Sequence, residues 1–237
     1  MKLLNNKNHF VNIFSNTIIL LILAVFCALT LNFNIAPVSS NNNEAIYSGN
    51  KNSNKVCLMI NVYWGTEFLD SILTTLKEYN TKTTFFVGGQ WVEKYPEMLI
   101  KIYNDGHEIG NHGYFHRDHT KLNYNQNKEE IKACESLVLK TINIKPLLFA
   151  PPSGAYNKTT LQLCADLGYK TIMWSKDTID WRDKDSNLVF ERATSRVVGG
   201  DLILMHPTNH TAIALPRILE YYKTNNLVAT TVSNTLK

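Results

Sequence analysis

From residue 56 to the C-terminus, short apolar runs alternate with segments of helical spacing. The runs at 56–62, 83–87, 108–110, 147–149, 170–174, 201–205 and 227–231 are short and bounded by polar or turn-forming residues, which predicts buried strands. Between them, Phe68, Ile72, Leu73, Leu76 and Tyr79 form one helical stripe. Ile131, Cys134, Leu137 and Val138 form a second, and Leu161, Cys164, Ala165 and Leu167 a third. Residues 189–197 and 212–222 follow the same spacing, and Gly106, Gly168 and Gly199 act as helix stops. Strand–helix repetition predicts an α/β protein with a mostly parallel sheet. Seven strands suit a distorted (β/α) barrel better than a complete eightfold one.

The N-terminus has a different pattern. Lys2 and Lys7 precede an unbroken apolar run at 18–31, followed by Ala36, Pro37, Val38, Ser39 and Ser40. A positive start, an apolar middle and small residues near a cut site describe a secretion signal. The run is shorter than the ~20 residues of a spanning helix, which favours a signal peptide. Counting from Ile13 lengthens it enough to leave an uncleaved membrane anchor open. Either way residues 1–38 export the chain, to the outer face of the membrane or to the wall. Residues 39–55 are polar and contain Gly49, and read as a flexible linker. Residues 56–237 form the folded domain.

Composition narrows the function. Of 237 residues, 44% are hydrophobic and 19% charged, with a formal net charge of +4, as in an ordinary globular protein. The chain has no block of five like charges and no Arg-rich stripe, which argues against a nucleic-acid partner. Cys27 lies in the apolar run, and Cys57, Cys134 and Cys164 lie in apolar-periodic segments without a CxxC pair. They read as small buried thiols, with one disulfide among the last three left open.

The chemistry-bearing residues fall repeatedly just after strands. Residues 61–67 follow the first, His112 and His116 the third, residues 151–156 the fourth, Asp177 to Trp181 the fifth, and His206 the sixth. That edge is where parallel α/β sheets bind ligands. His112 and His116, four apart, can share a metal if the loop turns helically, since neutral imidazoles ligate zinc well. His107 and His119 read as surface or capping residues. Of Asp177 and Asp180, one carboxylate can orient a histidine such as His206, while Trp181 forms an apolar pocket wall.

Gly-His-Glu-Ile-Gly-Asn-His112-Gly-Tyr-Phe-His116, Pro151-Pro152-Ser153-Gly154-Ala155-Tyr156, Trp174-Ser-Lys-Asp177-Thr-Ile-Asp180-Trp181 and Leu204-Met205-His206-Pro207 occur in this order. Together they resemble the motifs of polysaccharide deacetylases of the NodB-homology, carbohydrate esterase family 4 type. Lys82-Thr-Thr-Phe-Phe-Val-Gly matches as well, and the resemblance is nearest to sporulation-associated members whose first motif ends in a Trp-Gly-x-Glu-like run. It implies a barrel with a groove, and metal-assisted hydrolysis of N-acetyl groups on cell-wall or spore glycan. It also implies a divalent metal, zinc in the first instance, on His112 and His116. His206 maps to the acid that protonates the leaving amine and Asp177 to its partner. Pro152, Tyr156, Trp181 and Leu204 map to substrate contacts, the last two around the acetyl methyl.

The first motif departs from the family's Thr-Phe-Asp-Asp-Gly. The base position is Asn61, which cannot take a proton at neutral pH, and the metal-carboxylate position is Val62, which has no donor atom. The Arg that orients the base is Ala150. A third metal ligand must then come from elsewhere, and Glu67 is the candidate. Two readings follow from the resemblance. One is an exported hydrolase in which Asn61 hydrogen-bonds the attacking water. The other is a non-catalytic glycan-binding or scaffolding protein. The partner in both is N-acetylated glycan, with the membrane added if the N-terminal segment is retained, and the chain is expected to act as a monomer.

Overall fold

The computed structural model describes residues 17–19, 21 and 43–237. Residues 17–19 and 21 are helical; the rest of the expected export segment and residues 39–42 of the expected linker lie outside the described residues. Among the described residues no helix is long and apolar enough to cross a membrane.

The architecture grows from strand β1 (Lys55–Val62), which is buried throughout from Val56, as a parallel strand covered on both faces must be. Its side chains alternate between faces. Val56, Leu58, Ile60 and Val62 join the large core with Ile72 and Leu76 of helix α1 (Leu69–Glu78). Cys57 and Met59 face the inside of the curl, against Phe86, Ala150 and Leu202. Asn61 ends that inner row as its polar member. Each fully buried large side chain in such a core stabilises by roughly 1.5–3 kcal/mol.

The remaining strands are β2 (Thr84–Val87), β3 (Glu108–Asn111), β4 (Leu148–Phe149), β5 (Lys170–Thr171), β6 (Lys176–Asp177), β7 (Leu202–Met205) and β8 (Val228–Ala229). They run in the order β5-β4-β3-β2-β1-β7-β6, all parallel, with β8 on the start of β1. Seven parallel strands thus form a curled half-barrel, the distorted barrel expected from the sequence. Helices α2 (Gly89–Lys94), α3 (Pro96–Asn104), α4 (Tyr124–Ile142), α5 (Lys158–Asp166), α6 (Ser186–Thr194), α7 (Asn209–Thr224) and α8 (Val232–Thr235) complete the elements. The β2–β3 approach depends on Gly110, whose added Cβ would lie 2.3 Å from the Phe86 ring. A side chain at 110 would force these strands apart.

Two expectations need correction. The run 170–174 is not one strand: β5 ends at Thr171, and Ile172 pairs instead with Ile46. The Ile46 N–H donates to the Thr171 carbonyl at 2.8 Å, and the Met173 N–H donates to the Ile46 carbonyl at 2.8 Å. The later part of the expected linker is therefore built into the domain. Ser48 bridges Asp201, the Gly49 N–H donates to Gly200 at 2.7 Å, and the Asn50 N–H to Thr235 at 2.9 Å. The physical reason is the open sheet, whose β5 edge leaves backbone groups that another segment can satisfy, while Ile46 packs on the inner core.

Cys57, Cys134 and Cys164 are buried and free. Burial pushes their thiols up to about 12, 12 and 11 respectively, so they behave as packing groups.

Candidate functional site

The strand ends surround a cavity of about 370 Å³. Asn61, His112, His116, Asp177, Trp181, Leu204 and His206, all singled out from the sequence, line it together, and Trp64, Ser153 and Trp174 complete its wall. Trp64 and Trp181 leave more than half of their surface in solvent, at 56% and 54%.

The histidine pair is brought together by a loop rather than by a helical turn. After β3, Gly113 and His116 both take left-handed backbone angles, with φ of 74° and 56°. The Gly113 N–H donates to Asn111 Oδ1 at 2.9 Å, and the Tyr114 and Phe115 N–H groups donate to buried Glu130 Oε2 at 3.0 and 2.8 Å. These three bonds hold the loop so that the two imidazole centroids stand 5.1 Å apart. His112 Nδ1–H donates to the Ala150 carbonyl at 2.7 Å, which leaves Nε2 as the acceptor atom. Burial drives the His112 pKa down to about 3 and also lowers that of His116.

His107 and His119 are buried, contrary to the sequence reading. His107 Nδ1 accepts from the Thr83 N–H at 3.2 Å, and His119 Nδ1 pairs with Asn127 Oδ1 at 2.5 Å. His107 packs on the Phe85 ring at the opposite, N-terminal edge of the sheet, and His119 packs on Phe149: a ring with one satisfied nitrogen fits an apolar wall better than its isolated polarity suggests.

The partner of His206 also differs from expectation. Asp180, not Asp177, receives it: His206 Nδ1–H donates to Asp180 Oδ1 at 2.8 Å and the His206 backbone N–H donates to Oδ2 at 2.6 Å. Thr211 adds its hydroxyl to Oδ2 at 2.5 Å. Asp177 caps the turn between them by accepting the Ile179 N–H at 2.8 Å, and burial raises its carboxyl above the ordinary range. Ile179 sits at φ 52°, a conformation costly for a β-branched residue. Arg192 holds the outgoing limb through the Thr178 carbonyl at 2.9 Å and Asp183 at 2.6 Å.

The donor set does not fit a three-ligand catalytic metal. Val62 is fully buried in the hydrocarbon core and Asn61 is an amide. The Glu67 carboxylate accepts the Thr66 N–H at 3.0 Å and is not part of the cavity wall. Among the described residues, no three His, Cys, Asp or Glu side chains converge as ligands, whereas catalytic zinc takes three protein ligands plus water. Asn61 is 5% exposed and its Oδ1 has no hydrogen-bond partner.

Of the expected substrate contacts, Pro152 is buried behind the histidine loop near Gly113, and the Tyr156 hydroxyl pairs with that of Tyr47 at 2.7 Å. Neither lines the cavity. Trp64, Ser153 and Trp174 fall within the strand-end segments and motifs read from the sequence, but nothing there gives them a role of their own.

Comparison with known proteins agrees with this geometry. Residues 48–172 match the polysaccharide deacetylase family. The chain is 38% identical over 190 residues to the uncharacterised protein YlxY of Bacillus subtilis, covering 80% of this chain and 60% of that protein. It is 31% identical over 183 residues to a peptidoglycan-N-acetylglucosamine deacetylase of Bacillus cereus, covering 75% of this chain and 66% of that enzyme. The chain thus spans just under two thirds of these relatives' lengths. Among solved structures it is similar to BA3943 of Bacillus anthracis, described as a carbohydrate esterase family 4 pseudoenzyme, with a TM-score of 0.80 and 32% identity over 82% of this chain and 69% of that one. A mutant of that pseudoenzyme is described as having restored enzymatic activity. With its motifs gathered around one cavity and its sheet superposable on these relatives, the chain belongs to the polysaccharide deacetylase family.

Proposed function

We propose that this chain is an exported, non-hydrolytic glycan-binding member of the family, whose groove receives N-acetylated cell-wall glycan. The observation that carries the reading is the end of β1, where an amide and a buried hydrocarbon, Asn61 and Val62, stand at the positions of the family's two carboxylates. Deacetylases of this family are metal-dependent in general, and the side chains here do not make the ligand set such chemistry uses. The cavity wall by contrast still offers contacts for such a ligand. Leu204 and Trp174 offer apolar contact for an acetyl methyl, Trp181 an exposed indole, and Asn61 an amide able to pair with an acetamido group. The similarity to a pseudoenzyme of the same fold supports the reading. Export is supported by Lys2, Lys7 and the apolar run at 18–31.

A second reading, a hydrolase with a variant metal site, is favoured by one arrangement. His206 stays paired with Asp180, and His112 keeps Nε2 free beside His116. Calorimetric titration with tetra-N-acetylchitotetraose, together with an acetate-release assay in added zinc, cobalt or no metal, separates the two. Binding without acetate release is expected; metal-stimulated release by the natural sequence would establish the hydrolase instead.

A further inference from the structure

Trp64, Trp174 and Trp181, three of the chain's four tryptophans, line the main cavity together with one carboxylate, Asp177. Indoles beside an acid suit an ammonium group, because the ring quadrupole and the carboxylate attract the same charge.

Asp177 is the carboxylate of this region left without a cation. His206 is spent on Asp180, and Arg192 on the Thr178 carbonyl and Asp183. Arg182 also pairs with Asp183. Among the described residues Asp177 forms no ion pair, and its one hydrogen bond is the Ile179 N–H on Oδ1. Burial raises its carboxyl above the ordinary range, a penalty that a cation at Oδ2 relieves.

The wall around it offers further lone pairs. Asn61 Oδ1 has no partner, and the bond from His112 Nδ1–H to the Ala150 carbonyl leaves Nε2 as an acceptor. Burial takes the His112 pKa down to about 3 and lowers that of His116, so this pair carries no charge to repel a cation. An ammonium group brings three N–H donors, whereas an acetamido group brings one N–H and no charge. The chain's formal net charge of +4 works against any general attraction to a polycation, so a preference for one must arise within the cavity.

We propose that the cavity prefers a sugar whose 2-amino group is free and protonated, held by Asp177 among the three indoles, so that the protein reads glycan from which an acetyl group has already been removed. The inference rests on the glycan-binding reading and sets which sugar of a partly N-acetylated strand the cavity takes. It also places the protein after an amide hydrolysis by another catalyst, in which water cleaves the C–N bond, acetate leaves and the amine remains on the sugar.

Calorimetric titration of the full chain compares tetra-N-acetylchitotetraose with the β-1,4-linked glucosamine tetramer, under conditions that keep its amines protonated. The glucosamine tetramer should bind at least about tenfold tighter, a difference of about 1.4 kcal/mol. Asp177→Asn keeps an acceptor for the Ile179 N–H and removes the charge, and should abolish most of that preference. Trp181→Leu, at a side chain that is 54% exposed, should reduce the preference severalfold. Equal or tighter binding of the acetylated tetramer overturns the inference and leaves the glycan-binding reading standing. So does a preference for the amine that survives in both variants, because the charge is then read elsewhere. Binding of neither tetramer overturns both readings. A lysine-containing tetrapeptide that binds tighter than the amino sugar assigns the cavity to a peptide and overturns the proposal.

Discussion

His206 and Asp180 meet twice: the imidazole Nδ1 and the backbone N–H of the same residue each donate to a different oxygen of one fully buried carboxylate. With the Thr211 hydroxyl, three donors converge on a group with no measurable access to water. Removing one partner of such an arrangement strands the others, at roughly 1–3 kcal/mol for each unsatisfied buried group. Asp180→Ala should therefore destabilise the domain by several kcal/mol, on the order of 3. Asp177→Ala, which loses a single turn bond, should cost about 1 kcal/mol or less. Urea unfolding of both variants checks the order, and equal losses would show that the two carboxylates share the role.

The pinning of the histidine loop by Glu130 gives a second expectation. Glu130→Ala removes the acceptor of two backbone N–H groups and should cost about 2 kcal/mol. The diagnostic is local: hydrogen exchange at Tyr114 and Phe115 should accelerate far more than in the β1 core. If their protection survives, the loop is held by its left-handed residues alone.

His107 supplies a pH dependence whose sign is fixed. Burial, aided by nearby Lys82, lowers its pKa to about 4, while in the unfolded chain it returns to about 6.5. Between these values the unfolded state binds a proton that the folded state refuses, so stability is complete above pH 6.5 and declines as pH falls toward 4. The full contribution is on the order of 3 kcal/mol. His107→Asn keeps an acceptor near Nδ1 and removes the titration. The variant should lose roughly 2 kcal/mol less than the natural sequence between pH 7 and 4.5, as read from urea midpoints at the two pH values.

The metal question is testable without turnover. If glycan is held by aromatic and amide contacts alone, EDTA should leave the affinity for tetra-N-acetylchitotetraose unchanged within about twofold. Asn61→Asp with Val62→Asp supplies the missing carboxylates and should tighten zinc binding by tenfold or more, measured by calorimetry on the unliganded domain. An affinity for zinc that is already tight in the natural sequence would overturn the assignment.

Much of this site was legible in the sequence because strand periodicity is a simple signal. The period-two row Cys57, Met59, Asn61 leads straight from core to cavity, and the apolar runs placed His112, His116 and His206 at the same edge. The choice between Asp177 and Asp180 was not legible. It depends on Ile179 adopting φ 52°, and a β-branched residue gives no hint of a left-handed turn. The docking of residues 46–50 was hidden for a related reason: it is made largely through backbone hydrogen bonds, which any sequence can form. Glu67 looked like a ligand by count alone, yet its carboxylate turns back on the Thr66 N–H.

The position of β1 in the sheet bears on how the domain assembles. Its neighbours are β2, which follows closely in the chain, and β7 and β8, which come from the far end. A growing chain can pair one side of β1 early, but the other side stays open until Leu202–Met205 has arrived. Closing that long loop is slow relative to local structure, and an unpaired strand edge in the interval invites aggregation. This interior strand is thus the first synthesised and the last completed, and a chain truncated before residue 202 would expose its apolar spine rather than fold a smaller domain.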